Sequence, residues 1–225
     1  MKSLALLAAA ALAAVSTTAC DDSDGGPRAD LRIVHASPDA PDVDVRLDGI
    51  GVLSQVPYLA SSGYLSVQAD DRDVQVLAAG TETVVIDATL TLPAGSATTV
   101  LAANLVANIE PLVLADDRSA PAAGSAKVRV VHGAPSAPNV DVYVTAPGAA
   151  LTDPTLADVP FLASSDYLEI PAGEYQVRVT VAGTTDVAID TGALTIADGA
   201  VLSAVAVDAA GGGAPFDILV LDDAL

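Results

Sequence analysis

The chain has one cysteine, two histidines and no tryptophan, and aromatic residues make up only 3% of its 225 residues. Each scarcity removes a class of function. A single cysteine forms no internal disulfide and leaves no pair for a redox motif or a cysteine-rich zinc site. Two histidines fall short of the three or four protein ligands that zinc takes. Few rings mean few platforms on which bases or sugars can stack. Basic residues are scarce as well, 9 against 29 acidic ones, for a formal charge of −20. A surface of that sign repels nucleic acid and disfavours direct docking on anionic lipid. No Gly-rich phosphate loop, dinucleotide fingerprint, His-Glu-x-x-His string or Gly-x-Ser-x-Gly elbow occurs. Hydrophobic residues at 52% argue against disorder of the whole chain.

The chain opens on Met1-Lys2-Ser3, a short positive segment, followed by the uncharged run Leu4–Val15 and then Ser16-Thr17-Thr18-Ala19-Cys20. That is the layout of a secretory signal, and the run is shorter than the roughly twenty apolar residues of a membrane span. Cys20 after a small residue resembles the lipobox of bacterial lipoproteins, with Thr17 standing where leucine is commonest. The resemblance implies lipidation of Cys20 and export to the cell envelope or cell surface, held on a membrane by acyl chains. The alternative is an ordinary signal cut near Ala19 and a soluble product. The expected organisation is a signal peptide over 1–19 and an acidic tether over 20–27, rich in aspartate and glycine.

The remainder repeats itself. Leu31–Val45, LRIVHASPDAPDVDV, returns as Val128–Val142, VRVVHGAPSAPNVDV, and Val56–Leu65, VPYLASSGYL, returns as Val159–Leu168, VPFLASSDYL. The spacing between the copies grows around Pro147–Thr155, so copy two carries a longer loop there. Within each copy the hydrophobic period is two: Val43, Val45 and Leu47 alternate with Asp44, Arg46 and Asp48, and Val177, Val179 and Val181 with Gln176, Arg178 and Thr180. Alternation of this kind describes half-buried strands. Pro- and Gly-bearing turns between short strands predict two tandem immunoglobulin-like antiparallel β-sandwiches, all-β, of about seven strands each. The repeats are placed at 28–117 and 127–225, with a linker over 118–126.

The string Arg129–Tyr143, with Val159-Pro160-Phe161 and Ser165–Leu168, resembles domain of unknown function family 4397. Copy one departs from it at Arg46 and Gly63. The resemblance implies a β-sandwich in an envelope or surface protein and supplies no catalytic or binding residues.

His35 and His132 occupy equivalent positions and share a face with Leu31 and Ile33, or Val128 and Val130, which predicts inward-facing histidines that fix the following Pro-rich turn. The functional alternative makes them a metal ligand or a base with Asp44 or Asp141 as partner, and the inventory offers a Ser-His-Asp hydrolase from Ser61 or Ser62 with His35 and from Ser164 or Ser165 with His132. Calcium, which takes six to eight oxygen ligands, has candidates in Asp39, Asp42 and Asp44, and further acidic groups lie at Asp70/Asp71/Asp73, Asp116/Asp117 and Asp222/Asp223. In copy two the first group shrinks to Asn139 and Asp141. The plainer reading is that these carboxylates are solvated edges that discourage sheet-to-sheet aggregation. Tyr58, Tyr64, Tyr143, Phe161, Tyr167, Tyr175 and Phe216 are expected in core packing. The function expected from all this is a non-enzymatic envelope lipoprotein acting in surface structure, adhesion or protein interaction, with no cofactor and no nucleic-acid partner. A calcium- or glycan-binding surface domain is the alternative and an envelope hydrolase the third reading.

Overall fold

The computed structural model describes residues 25–224, so the signal segment, Cys20 and most of the acidic tether lie outside the described residues. The first repeat contains β1 (Arg28–His35), β2 (Val43–Leu47), β3 (Ile50–Val56), β4 (Leu65–Gln68), β5 (Asp70–Ala78), β6 (Val84–Leu92), β7 (Ala97–Ala103) and β8 (Glu110–Asp116). The second contains β9 (Ser125–His132), β10 (Val140–Thr145), β11 (Leu156–Val159), β12 (Leu168–Pro171), β13 (Gly173–Val181), β14 (Val187–Ile196), β15 (Val201–Val207) and β16 (Asp217–Asp222). Each repeat thus has eight strands rather than seven, and β9 begins inside the segment expected to be linker.

Each repeat is a sandwich of two four-stranded sheets. The orders are β4-β1-β7-β8 with β3-β2-β5-β6, and β12-β9-β15-β16 with β11-β10-β13-β14. Pairing is antiparallel except for β1 with β7 and β9 with β15, which run parallel. The alternation seen in the sequence sets the inner faces: Val43 and Val45 of β2 meet Val74 and Val76 of β5 and Leu31 and Ile33 of β1 in the first core. Val140, Val142 and Val179 do the same in the second. Small apolar cavities remain in the two interiors, of about 10 Å³ beside Ile33 and Val100 and about 20 Å³ beside Val142 and Val179, room for about one water molecule.

The central strands β1, β7, β9 and β15 depart from simple alternation because both of their faces are buried. On β1, Leu31 and Ile33 enter the sandwich while Val34 turns outward, and Val34 is nevertheless fully buried. It joins Leu101 and Leu114 of the first repeat and Val131, Val205 and Leu221 of the second in a third apolar cluster. The two sheets β4-β1-β7-β8 and β12-β9-β15-β16 therefore face each other across a seam between the repeats. Each large aliphatic side chain buried there contributes about 1.5–3 kcal/mol relative to exposure.

Candidate functional site: a reciprocal polar seam between the repeats

Polar side chains cross the apolar seam in two matching sets. Arg32 sits mid-strand in β1, on the same outward face as Val34. Its Nε donates to Thr99 Oγ1 at 2.9 Å, its Nη1 to Asp222 O at 2.9 Å, and its Nη2 to the Asp223 carboxylate. Arg129, at the equivalent place in β9, gives Nε to Ser203 Oγ at 3.0 Å, Nη1 to Ala115 O at 2.9 Å, and Nη2 to Asp116 Oδ1 at 2.6 Å. Each repeat's arginine thus reaches the other repeat's C-terminal strand. Each aspartate is completed from within its own repeat: Tyr64 and Thr99 hydroxyls donate to Asp116 Oδ2 at 2.8 and 2.6 Å, and the Tyr167 and Ser203 hydroxyls donate to Asp223 Oδ2. The guanidinium groups lie over the Tyr64 and Tyr167 rings at 4.6 and 4.7 Å, within cation–π range. The Arg32 and Arg129 side chains are 3% and 4% exposed and both carboxylates 0%.

Burial beside carboxylates pushes the phenols of Tyr64 and Tyr167 well above the ordinary tyrosine value, so both stay protonated and donate. Arg118 adds a third cation to the seam. It stacks over Tyr64 at 4.1 Å, donates to Asp30 Oδ2 at 2.6 Å, and reaches the carbonyls of Asp223 and Ala224. The linker is therefore tied to both repeats at its first residues. Lys127 holds its next turn through Asp117 Oδ2 at 2.6 Å and Ser119, which draws the Asp117 carboxyl down to about 2.

Two expectations are corrected here. Asp116 and Asp223 are neither solvated edge charges nor calcium candidates; burial in paired, hydrogen-bonded positions is what makes such charges tolerable in an interior. The aromatic residues are not all core filler: the Tyr64 and Tyr167 hydroxyls end on the seam carboxylates, and Tyr58 donates across the seam to Asp208 O at 2.8 Å.

The two histidines are buried at the ends of β1 and β9. His35 Nδ1 accepts from Ser37 N at 3.4 Å and Nε2 lies 3.1 Å from Pro41 O. His132 repeats this with Ala134 N at 3.4 Å and Pro138 O at 3.0 Å. An accepting Nδ1 and a carbonyl at Nε2 fix the neutral tautomer with the proton on Nε2. Burial lowers both histidine pKa values. Ser62 and Ser165 turn elsewhere, accepting from Ile33 N and Val130 N and donating to Gly63 O and Asp166 O. Ser61 and Ser164 pair by backbone bridges with Val34 and Val131. These serines and histidines are close in the fold but share no hydrogen bond.

Asp44 and Asp141 also have matching roles. Asp44 accepts from Gln55 N at 2.8 Å and Gly80 N at 2.9 Å; Asp141 accepts from Asp158 N at 2.7 Å and Gly183 N at 2.8 Å. All four donors have positive φ, between 50° and 72°, so each carboxylate clamps two turns of left-handed backbone. Those two amide bonds, Gln55 first, hold the Asp44 carboxyl below its usual range. Asp39 accepts from Val106 N at 2.7 Å, and Asp42 uses its backbone carbonyl to take Ala79 N. The three calcium candidates do not converge, and no group of three or more His, Cys, Asp or Glu suited to a metal exists among the described residues.

The fold and seam define a tandem β-sandwich protein whose repeats are locked face to face. The model of the family described as "Domain of unknown function (DUF4397)" matches residues 29–143 and 144–225. The chain belongs to that family, in two tandem copies. The first match runs past β8 into β10, whereas strand pairing separates the copies between Asp116 and Ser125. No curated protein matches the chain significantly. Among solved structures it is similar to a streptococcal virulence factor described for alpha-glucan binding, at 12% identity over 78% of this chain and 91% of that one, TM-score 0.25. It is also similar to a family CBM26 module from Eubacterium rectale in complex with maltoheptaose, at 13% identity over 87% and 98%, TM-score 0.26. A leucine-rich repeat protein from Bacteroides thetaiotaomicron matches at 14% identity over 79% of this chain and 25% of that one, TM-score 0.22. Likenesses this loose carry no argument about function.

Proposed function

We propose that this protein is a non-catalytic module of the cell envelope, tethered through a lipidated Cys20 and acting in surface structure, adhesion or protein interaction. The observation that supports this reading best is the reciprocal lock of Arg32 on Asp223 and Arg129 on Asp116. It makes the two sandwiches a single block, a form suited to presenting a surface at a fixed distance from a membrane. The side chains with the most chemical reach serve that block: His35 and His132 hold turns, Asp44 and Asp141 hold loops, and Ser62 and Ser165 close backbone bonds. No helix among the described residues is long and apolar enough to cross a membrane, and the anchor in this reading is lipid alone.

The anchor is tested by fractionating cells that express the native chain or Cys20→Ser. The native protein partitions with membranes and the variant is released; unchanged fractionation refutes lipidation. The non-catalytic part fails if the protein shows a turnover that disappears in His35→Ala or His132→Ala.

A further inference from the structure

The two halves of the seam are not identical where their central strands end. Ser37 stands where the second repeat has Ala134, each two residues beyond its histidine. Tyr58 stands where it has Phe161; their rings meet His35 and His132 edge-on at 6.0 Å. Asp208, directly after β15, stands where the first repeat has Asn104, directly after β7. At all three positions the more polar or charged member belongs to the same cluster, in which Ser37 and Tyr58 of the first repeat meet Asp208 of the second. The three are linked: the Tyr58 hydroxyl donates to Asp208 O at 2.8 Å, and Gly211 N, in the loop after Asp208, donates to Pro38 O at 2.7 Å, next to Ser37.

This cluster carries unspent hydrogen-bonding capacity. Asp208 is 2% exposed and Ser37 0%. Asp208 Oδ2 accepts from Gly213 N at 2.9 Å, while Asp208 Oδ1 and Ser37 Oγ are buried without a partner. Asn104, the counterpart of Asp208, is satisfied by Glu110 and Leu105 N. No basic side chain pairs with Asp208 among the described residues. His132, which lies near enough to feel its charge, is the neutral imidazole described above. A buried carboxylate without a countercharge is strongly disfavoured.

We propose that Asp208 binds a hard cation of the calcium class. Asp208 supplies the anionic ligand, and the Ser37 hydroxyl and the carbonyls of the loop Ala210–Gly212 supply neutral oxygens. The glycines at 211, 212 and 213 all have positive φ, from 79° to 95°, a backbone path that side-chain-bearing residues rarely follow and that folds this loop back over the carboxylate. The strongly negative chain raises the local concentration of cations. One charged ligand among neutral oxygens makes a weak site, with a dissociation constant of about 10⁻⁴–10⁻³ M.

The test is a set of thermal melts of the purified protein in about 10 mM calcium and in EDTA. Calcium raises the midpoint of the native protein by about 3–6 °C, leaves Asp208→Asn unshifted, and shifts Asp166→Asn, a change at an exposed aspartate, as much as the native protein. If Asp208→Asn does not fold, Ser37→Ala takes its place and shows a reduced shift. The proposal is overturned if calcium does not move the native midpoint, or if it moves Asp208→Asn equally, which would assign the effect to surface carboxylates.

Discussion

Arg32 and Asp223 lie 191 positions apart in sequence and form an ion pair with side chains 3% and 0% exposed. The pair joins the second residue type of a Leu-Arg-Ile run in the first repeat to the chain's last aspartate, and Arg129 and Asp116 return the same bond in the opposite direction. The repeats are held as two halves that each complete the other.

A buried ion pair is more damaging to break than to replace. Arg32→Ala removes the nearest cation of Asp223, leaving it only Arg129 Nη2 at 3.8 Å, and is expected to cost about 3–5 kcal/mol. The double change Arg32→Met with Asp223→Leu should cost less than that single change. Urea unfolding of the three proteins checks the order; a double variant weaker than the single one would contradict it.

With the seam intact, the two sandwiches should unfold together. Calorimetry of the native protein is expected to show one transition, and Arg129→Ala, which leaves Asp116 without its cation, should separate it into two. Two transitions in the native protein would mean that the seam does not couple the repeats.

The histidines make stability pH-dependent in a defined direction. Burial lowers both folded-state pKa values below 6.5, so the unfolded chain takes up protons first as the pH falls. Their contribution is fully present above pH 6.5 and is lost progressively below it, toward the folded-state pKa values. Unfolding free energy should therefore fall between pH 7.5 and 5.5, and the slope should shrink in the double variant His35→Gln/His132→Gln. An unchanged slope would assign the dependence to other groups.

The loop clamps should behave as equivalents. Asp44→Ala leaves Gln55 N and Gly80 N without their acceptor, and Asp141→Ala does the same to Asp158 N and Gly183 N. Each is expected to cost about 1–3 kcal/mol, the larger loss falling on Asp141, which is 6% exposed. Amide exchange at the four donor positions reads the effect directly, and unaltered protection would refute the clamp.

How much of this could be read beforehand differs by element. Period-two alternation marked β2 and β13, whose Val43, Val45 and Val179 enter the sandwich cores. It failed for β1, β7 and β15, whose residues are buried on both faces; Thr98–Ala103 is buried without interruption. The signal for the seam was already visible in the repeated strings: an arginine in the middle of an apolar strand, Leu31-Arg32-Ile33 and Val128-Arg129-Val130, at the same place in both copies. A charge there needs a buried partner. Its partners stand in acidic pairs at Asp116 and Asp223 that look like solvated strand ends when taken alone.

The sequence by itself determined the repeat, the strand period and the inner faces, because these depend on neighbours two residues apart and on turn residues between them. It also determined the charge and the single cysteine on which the proposed anchor rests. Only the tertiary structure decided which outer faces meet, since β1 of one repeat finds its partners on β16 of the other and nothing local encodes that meeting. The same contact decided that Asp116 and Asp223 are structural ions, that Tyr64 and Tyr167 are their donors, and that Asp208 is left with an oxygen to satisfy. Each of those roles comes from burial between two sandwiches, a property of their packing and not of any stretch of chain.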